Sequence, residues 1–342
     1  MSAGGLTVEV PGYRHRPGNH CGSTALRNLL AFHGLDLSEE MVFGLGAGAN
    51  FYYVVAEGES PSRFFNGRAA RLEEQFLELT GVPLAMESFG EDSEASWQAA
   101  KGAVDSARPP LLLTDLYYLD HYGNSAHFPG HAVVLAAYDD ERVLLSDTAF
   151  PELQQTKVEN LKKARHGKHP IFRLEGQMVT LPAGTELDDI RDRAAAAIAF
   201  DAKQVLEPQL GEFEGLPALR RFAEEIGSWP ELASDWKWCA RFGYQVIEKR
   251  GTGGGNFRAM YSRFLVEATD LGLAAVGEEA TLAAEASEAW SALANELLEA
   301  SETDVPDAGG WQRISARAAA VLALEERLWP QLAERVGDGP TA

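Results

Sequence analysis

The sequence predicts an α+β protein in which a helix packed on an antiparallel sheet is followed by an all-α domain. Three observations carry this prediction. An apolar helical stretch begins at Cys21, a strand–turn–strand pattern spans residues 131–147, and helical periodicity continues from residue 185 onward. With 342 residues, the chain is long enough for two domains. A Pro-Ala-Gly stretch marks their boundary, so we divide the chain into domains 1–180 and 181–342.

The composition is that of an ordinary globular protein, with 45% hydrophobic and 24% charged residues. The formal net charge of −21 argues against nucleic acid or an anionic membrane surface as a partner. Two cysteines exclude a disulfide scaffold. No signal peptide and no apolar stretch of about 18 residues is visible, so we expect a cytoplasmic protein.

The first helix places a cysteine at its start. Pro17 and Gly18 interrupt the chain before Cys21, and Gly34 is positioned to end the helix. Backbone N–H groups and the helix dipole favour a thiolate at such a position, and a thiolate attacks carbonyl carbon. A buried structural cysteine is the alternative. The apolar residues at helical spacing are Ala25, Leu26, Leu29, Leu30 and Phe32.

A histidine and an aspartate flank a predicted β-hairpin. His131 heads a buried strand, residues 139–142 form the turn, and a second strand delivers Asp147. The two side chains should therefore be neighbours, with the carboxylate orienting the imidazole for a Cys21–His131 pair. This chain order is typical of papain-like cysteine enzymes. The alternative is a core histidine bonded to a local aspartate.

Two polar residues upstream of Cys21 are candidates for stabilising an oxyanion together with its backbone N–H. They are His15, six positions earlier, and Asn19. A surface-loop role for His15 is the alternative.

Histidines cluster before the proposed catalytic His131, which raises the question of zinc. His121 and His127 lie on the preceding loop. His127 and His131 are four residues apart, but Pro129 and Gly130 prevent a helix that would align them as ligands. We therefore predict no metal site.

The remaining elements follow from caps and periodicity. In the first half we predict a helix capped by Ser38, a strand at 51–55, a helix at 68–81, a helix capped by Ser93 that runs to about 108, and strands at 111–116 and 171–174. In the second half we predict a helix at 186–205 capped by Thr185 and further helices at 217–227, 230–249, 257–273, 277–301 and 310–336. The segment 157–169 is basic and is a candidate docking patch for an acidic partner, with a solvated helix face as the alternative.

Two glycine-rich loops could contact a substrate. Residues 44–48 follow a helix rather than a strand, so the dinucleotide-binding context fails, and residues 251–255 lack the Lys-Ser/Thr of a phosphate loop. We interpret residues 44–48 as a close-packed loop near the site that could shape an acyl channel. A structural turn is the alternative for residues 251–255. The candidate residues for contacting substrate or phosphopantetheine are Gly46, Gly48, Arg250, Gly253, Gly254 and Arg258.

Two stretches carry a family resemblance: residues 33–48, after the Cys21 helix, and residues 247–261. The first resembles the N-terminal domain of the butirosin biosynthesis protein H family, and the second is similar to the helical domain that follows it. The resemblance implies a papain-like fold used for amide synthesis in antibiotic and other secondary metabolism. Cys21 and His131 match the catalytic positions, and Asp147 fits the third.

The resemblance implies an acyl transfer that needs no cofactor. The acyl group travels on the phosphopantetheine of an acyl carrier protein, passes to Cys21 and then reaches an amine of a small-molecule acceptor. The helical domain would act as a lid or bind the acceptor or carrier protein. Two other functions stay open: a cysteine hydrolase (peptidase, amidase or thioesterase) and a non-catalytic binding protein. The Ala-rich closing helices leave a homodimer open.

Overall fold

The computed structural model describes residues 8–124, 127–168, 173–273 and 276–336. The chain forms two compact units. One comprises Met1–Val42 and Gly81–Leu187, and the other comprises Phe43–Thr80 and Asp188–Ala342. The protein is thus a mixed α/β molecule with an antiparallel sheet in its N-terminal part and helices in its C-terminal part.

An antiparallel sheet organises the first unit. Its strands lie in the order β4-β9-β5-β6-β7-β8, and β1 pairs with β6. The strands are β1 (Val8–Glu9), β4 (Ala85–Glu87), β5 (Leu111–Asp115), β6 (Pro129–Tyr138), β7 (Arg142–Ser146), β8 (Gln154–Lys157) and β9 (Met178–Thr180).

Helices cover this sheet. Helix α1 (Cys21–Phe32) packs against β6 and β5, and its apolar face, including Leu26, Leu29 and Leu30, is fully buried. Helices α4 (Ser93–Asp105) and α5 (Val158–Ala164) pack with Val133 and Leu135 of β6 in one hydrophobic core. Burial of these apolar faces is the main stabilising contribution to the unit.

The predicted hairpin forms between β6 and β7. Asp139 closes its turn, because its carboxylate accepts hydrogen bonds from the backbone of Glu141 and Arg142. In the resulting register Val134 pairs with Ser146. This pairing brings the start of β6 beside the end of β7, where His131 and Asp147 lie.

The second unit combines a β-hairpin with helices. Strands β2 (Ala49–Val55) and β3 (Arg63–Arg68) form the hairpin. The helices are α3 (Leu72–Thr80), α6 (Ile190–Leu206), α7 (Gly215–Glu225), α8 (Trp229–Leu232), α9 (Trp236–Glu248), α10 (Arg258–Asp270), α11 (Gly277–Ser301) and α12 (Ala308–Val336), and α2 (Glu39–Leu45) links the two units along the chain.

The two units do not follow the predicted linear division at residue 180, because residues 43–80 join the second unit. Aromatic packing explains the difference. Phe51 and Phe65 of the hairpin contact Phe222 of α7 and Trp290 of α11, with ring centroids 4.8–6.1 Å apart. These large rings bury more apolar surface together than either segment could alone.

Further element predictions differ from the structure. Asp92 caps α4 through a hydrogen bond from the Ala95 amide, where we predicted Ser93 as the cap. Helix α6 begins only at Ile190, because the Thr185 hydroxyl donates to the Pro182 carbonyl instead of capping a helix.

The helix predicted at 230–249 is two helices, α8 and α9. Asp235 occupies the N-cap position of α9, and its carboxylate accepts hydrogen bonds from Ser60 and Ser62 of the hairpin segment.

The strand β3 was not predicted at all. Part of the strand expected at 171–174, and His169 of the basic segment, lie outside the described residues. Within the described ranges, no helix has the length and apolarity needed to cross a membrane.

Candidate active site

Cys21 is the first residue of α1. The preceding His20 is its N-cap, with ring Nδ1 accepting a hydrogen bond from the Ser23 amide at 3.2 Å. The Cys21 side chain is partly exposed, whereas the residues after it are buried. The buried stripe of α1 therefore anchors the helix in the core and leaves the thiol at its accessible N-terminal end.

His131 and Asp147 meet as the hairpin register requires. His131 Nε2 lies 3.0 Å from Asp147 Oδ2, and both side chains are buried. The His131 ring also forms a hydrogen bond with the side chain of Cys21. Because Nε2 faces Asp147, Nδ1 is the ring atom left for the sulfur. The structure thus brings together the three residues predicted as a catalytic triad.

Electrostatics favour a charged imidazole at this position. Burial alone lowers the pKa of His131, but the charge of Asp147 and hydrogen bonds to Asp147 and Cys21 outweigh it and raise the pKa to about 10. Burial raises the pKa of Asp147, yet the charge of His131 and hydrogen bonds from His121 and His131 hold it well below its ordinary value. An imidazolium beside a sulfur stabilises the thiolate.

Two residues around Asp147 were not predicted as part of the site. His121 Nε2 lies 2.9 Å from Asp147 Oδ2, and the Tyr122 hydroxyl donates to Oδ1 at 3.1 Å. Burial and the neighbouring carboxylate raise the pKa of Tyr122, so the phenol keeps its proton. The Tyr122 ring also meets the His131 ring edge to face, with centroids 5.7 Å apart. His121 entered the sequence analysis only as a possible zinc ligand, and Tyr122 was not singled out.

Glu39 is a further residue that the sequence analysis missed. Its buried carboxylate accepts hydrogen bonds from the backbone amides of Asn19 and His20 and from the hydroxyls of Ser23 and Thr24. Five donors, counting the Asn19 side-chain amide, thus converge on one carboxylate beside the Cys21 turn. In the sequence Glu39 looks like an ordinary first-turn residue of α2, whose Ser38 cap is confirmed.

The two oxyanion candidates are engaged elsewhere in the fold. His15 Nδ1 lies 2.7 Å from the Ser146 hydroxyl, and Nε2 lies 2.9 Å from the Phe150 carbonyl. Both ring nitrogens of His15 therefore contact residues of the segment around Asp147. Asn19 donates its backbone and side-chain amides to Glu39. The geometry supports neither side chain as an oxyanion donor.

The glycines of residues 44–48 are packing positions rather than substrate contacts. Gly46 and Gly48 are buried, and a side chain on Gly46 would lie 2.8 Å from the Leu72 carbonyl oxygen. A side chain on Gly48 would lie 2.7 Å from the ring and the carbonyl oxygen of Phe43. Both glycines are therefore required for close packing of this loop.

The second glycine loop is also structural. The amide of Gly254 donates to Thr252 Oγ1 and that of Gly255 to Glu248 Oε1, so these amides do not form a phosphate cradle. Gly253 stands at positive φ close to Met260, where a side chain would collide with the methionine. These glycines serve a close-packed turn, which was the alternative left open for them.

The two arginines near this loop differ in accessibility. Arg258 is fully buried and forms an ion pair with the equally buried Glu325, at 2.7 Å between Nε and Oε1. It also donates to the carbonyls of Asn50 and Gly67. Because the Arg258 side chain is buried and held by these partners, it cannot reach a phosphate. Arg250 is exposed but bonds to Gln245 and covers the Phe242 ring.

The described residues hold no metal cluster, and two cations of the basic segment have partners within the fold. Within the part of the chain that the structure describes, no three His, Cys, Asp or Glu residues are placed to hold a metal. His127 pairs with Asp115 at 2.7 Å. In the basic segment, Arg165 is buried and donates to backbone carbonyls, and Lys162 pairs with Glu94 and Glu159.

Fold and site together define a two-part α/β protein whose antiparallel-sheet domain carries a cysteine–histidine–aspartate cluster. Residues 20–148 match the family model described as Butirosin biosynthesis protein H, N-terminal, and residues 159–332 match Domain of unknown function (DUF4872). The chain therefore belongs to the butirosin biosynthesis protein H family, with its C-terminal second domain. A search of curated proteins finds no match.

Proposed function

We propose that the protein is a cysteine-dependent acyltransferase of papain-like fold that forms an amide in natural-product biosynthesis. The observation that carries the proposal is the Cys21–His131–Asp147 cluster, placed within a domain that belongs to a family named for butirosin biosynthesis. The donor is an acyl thioester on the phosphopantetheine of a carrier protein, and the acceptor is a small-molecule amine.

In the first step the Cys21 thiolate attacks the thioester carbonyl. A carbon–sulfur bond to Cys21 forms, and the bond to the phosphopantetheine sulfur breaks. The departing thiolate takes the proton from the His131 imidazolium, which leaves a neutral imidazole and an acyl-Cys21 thioester. We assign the backbone N–H of Cys21, in the first turn of α1, as an oxyanion donor.

In the second step the neutral amine attacks the acyl-Cys21 carbonyl. A carbon–nitrogen bond forms, the bond to the Cys21 sulfur breaks, and the amine proton passes to His131. Asp147 stabilises the imidazolium that results, because its buried carboxylate lies 3.0 Å from Nε2. The cycle restores the thiolate–imidazolium pair and needs no metal or redox cofactor.

The charge of the protein supports a cationic acceptor. The net charge of −21 raises the local concentration of a polyamine. We assign acceptor or carrier-protein recognition to the helical domain. If the KM for the acceptor does not rise with ionic strength, the electrostatic part of this proposal is contradicted.

Product analysis tests the proposed reaction. The protein is incubated with an acyl-carrier-protein thioester, with and without an aminoglycoside or a simple polyamine, beside Cys21→Ala. We expect amide to accumulate only with the amine and only with the unaltered protein. Release of free acid at the same rate with and without amine would identify a hydrolase instead. Absence of both products across a broad acyl panel would favour a binding protein.

A further inference from the structure

Two histidines share one oxygen of Asp147. His131 Nε2 lies 3.0 Å from Oδ2, and His121 Nε2 lies 2.9 Å from the same atom. The other oxygen, Oδ1, accepts the Tyr122 hydroxyl at 3.1 Å. The Asp147 carboxylate is completely buried, so these three donors fix its orientation.

The hydrogen bonds around His121 orient its ring and place a proton on Nε2. The Thr156 hydroxyl oxygen accepts the backbone amide of Asp120 at 3.2 Å and lies 3.2 Å from His121 Nδ1. The Thr156 hydroxyl can donate its proton to Nδ1. The ionised Asp147 carboxylate can only accept, so His121 Nε2 carries a proton and donates it to Oδ2. The Asp120 carboxylate points away, toward the Lys157 amide and the Asn160 side chain.

The ring of His121 is also held by packing. Its side chain is 6% exposed, and it meets Phe150 edge to face with ring centroids 5.1 Å apart. The Tyr122 ring lies 4.8 Å away on another side. Charged or titratable groups that face His121 are therefore Asp147, Tyr122 and, across the shared oxygen, His131.

We propose that His121 is a positioning residue for the Cys21–His131 pair. As an N–H donor it holds Asp147 Oδ2 at the place where the carboxylate orients His131, with His131 Nδ1 directed at Cys21. The inference rests on the proposed function, because it assumes that the thiolate–imidazolium pair is the reactive state.

The rate of Cys21 alkylation by iodoacetamide as a function of pH tests the role without any substrate. Intact mass and a Cys21→Ala protein assign the label to Cys21 rather than Cys239. An ion pair keeps the thiol reactive at about pH 6, well below the ordinary thiol pKa of about 8.5. His121→Leu should lower the rate at about pH 6 by roughly tenfold to a hundredfold, and alkylation above about pH 9 should change little.

Matched variants separate positioning from folding. His121→Gln keeps an N–H donor near the Nε2 position and should restore the rate to within about threefold of the wild type. Thr156→Val removes the hydroxyl that contacts His121 Nδ1 and should lower the rate, whereas Thr156→Ser should not. His127→Leu is the loop control, because His127 pairs with Asp115 and does not touch Asp147. Its pH profile should match the wild type.

The outcomes distinguish this inference from the proposed function. A wild-type pH profile like that of an ordinary thiol would overturn the ion pair and, with it, the proposed function. A reactive wild type whose His121→Leu variant keeps the same profile, or whose His121→Gln variant is equally impaired, would overturn only the role of His121. Should the variants fail to fold, ¹⁵N NMR of the wild-type histidines decides. A proton on Nε2 of His121 at pH 7 supports the role of His121, and an unprotonated Nε2 overturns it.

Discussion

Glu39 accepts the backbone N–H of His20 at 2.7 Å, one residue before the proposed nucleophile. The same carboxylate accepts the Asn19 amide at 3.0 Å, so the backbone that enters α1 is tied to the start of α2. Gly18 allows this close approach, because a side chain there would lie 2.6 Å from Glu39 Oε2. The position of Cys21 thus depends on a residue that lies 18 positions later in the chain.

Glu39→Gln should destabilise the protein by about 2 kcal/mol or more, because hydrogen bonds to a buried charged acceptor are stronger than those to a neutral one. The new amide N–H₂ would also face the donors of Asn19. Urea denaturation measures the change. Glu91→Gln, at an exposed position of the same unit, is the control and should change stability by less than about 0.5 kcal/mol. Equal stability of the two variants would contradict the role of Glu39.

His131 makes stability depend on pH in a defined window. Its pKa is raised from about 6.5 in the unfolded chain to about 10 in the fold. Its stabilising contribution is therefore complete below about pH 6.5 and is lost as pH rises toward about 10. The stability difference between the wild type and His131→Gln, measured by urea denaturation at several pH values, should shrink across this window. A difference that grows with pH would refute the raised pKa.

The buried ion pair of Arg258 and Glu325 predicts a structural rather than a substrate-binding role. Glu325 also accepts the indole N–H groups of Trp290 and Trp329. Arg258→Met should cost about 3–5 kcal/mol, because it leaves an uncompensated buried carboxylate. The exposed Arg250→Met should cost less than about 1 kcal/mol. Unchanged stability of Arg258→Met with a raised KM for the carrier protein would support phosphopantetheine binding instead.

The sequence predicted the parts of the site that depend on local patterns. A helix start at Cys21 and a tight turn after β6 follow from caps and periodicity, and together they place His131 beside Asp147. The residues that surround these three could not be inferred in the same way. Glu39 and His121 reach the site only through tertiary packing, and polar residues in a loop or a first helical turn look the same whether or not they face a buried partner.

The sequence predicted the elements of the fold to a similar extent. The long helix α11 matches its predicted bounds of 277–301, because an amphipathic pattern over many turns is a strong signal. The hairpin of β2 and β3 was missed in part, since Gly67 and Arg68 weaken its strand pattern. Its packing with distant helices depends on Phe51 and Phe65 meeting Phe222, a contact between residues more than 150 positions apart.

The most direct test is the intact mass of the protein after it is mixed with an acyl-carrier-protein thioester in the absence of any amine. Cys21→Ala and the wild type are compared at the same times, over a broad acyl panel. We expect the wild type to gain the mass of the acyl group and Cys21→Ala to gain none, which would establish an acyl-enzyme on Cys21. Equal labelling of both proteins, or no labelling and no free acid with either, would contradict the assignment of Cys21 as the nucleophile.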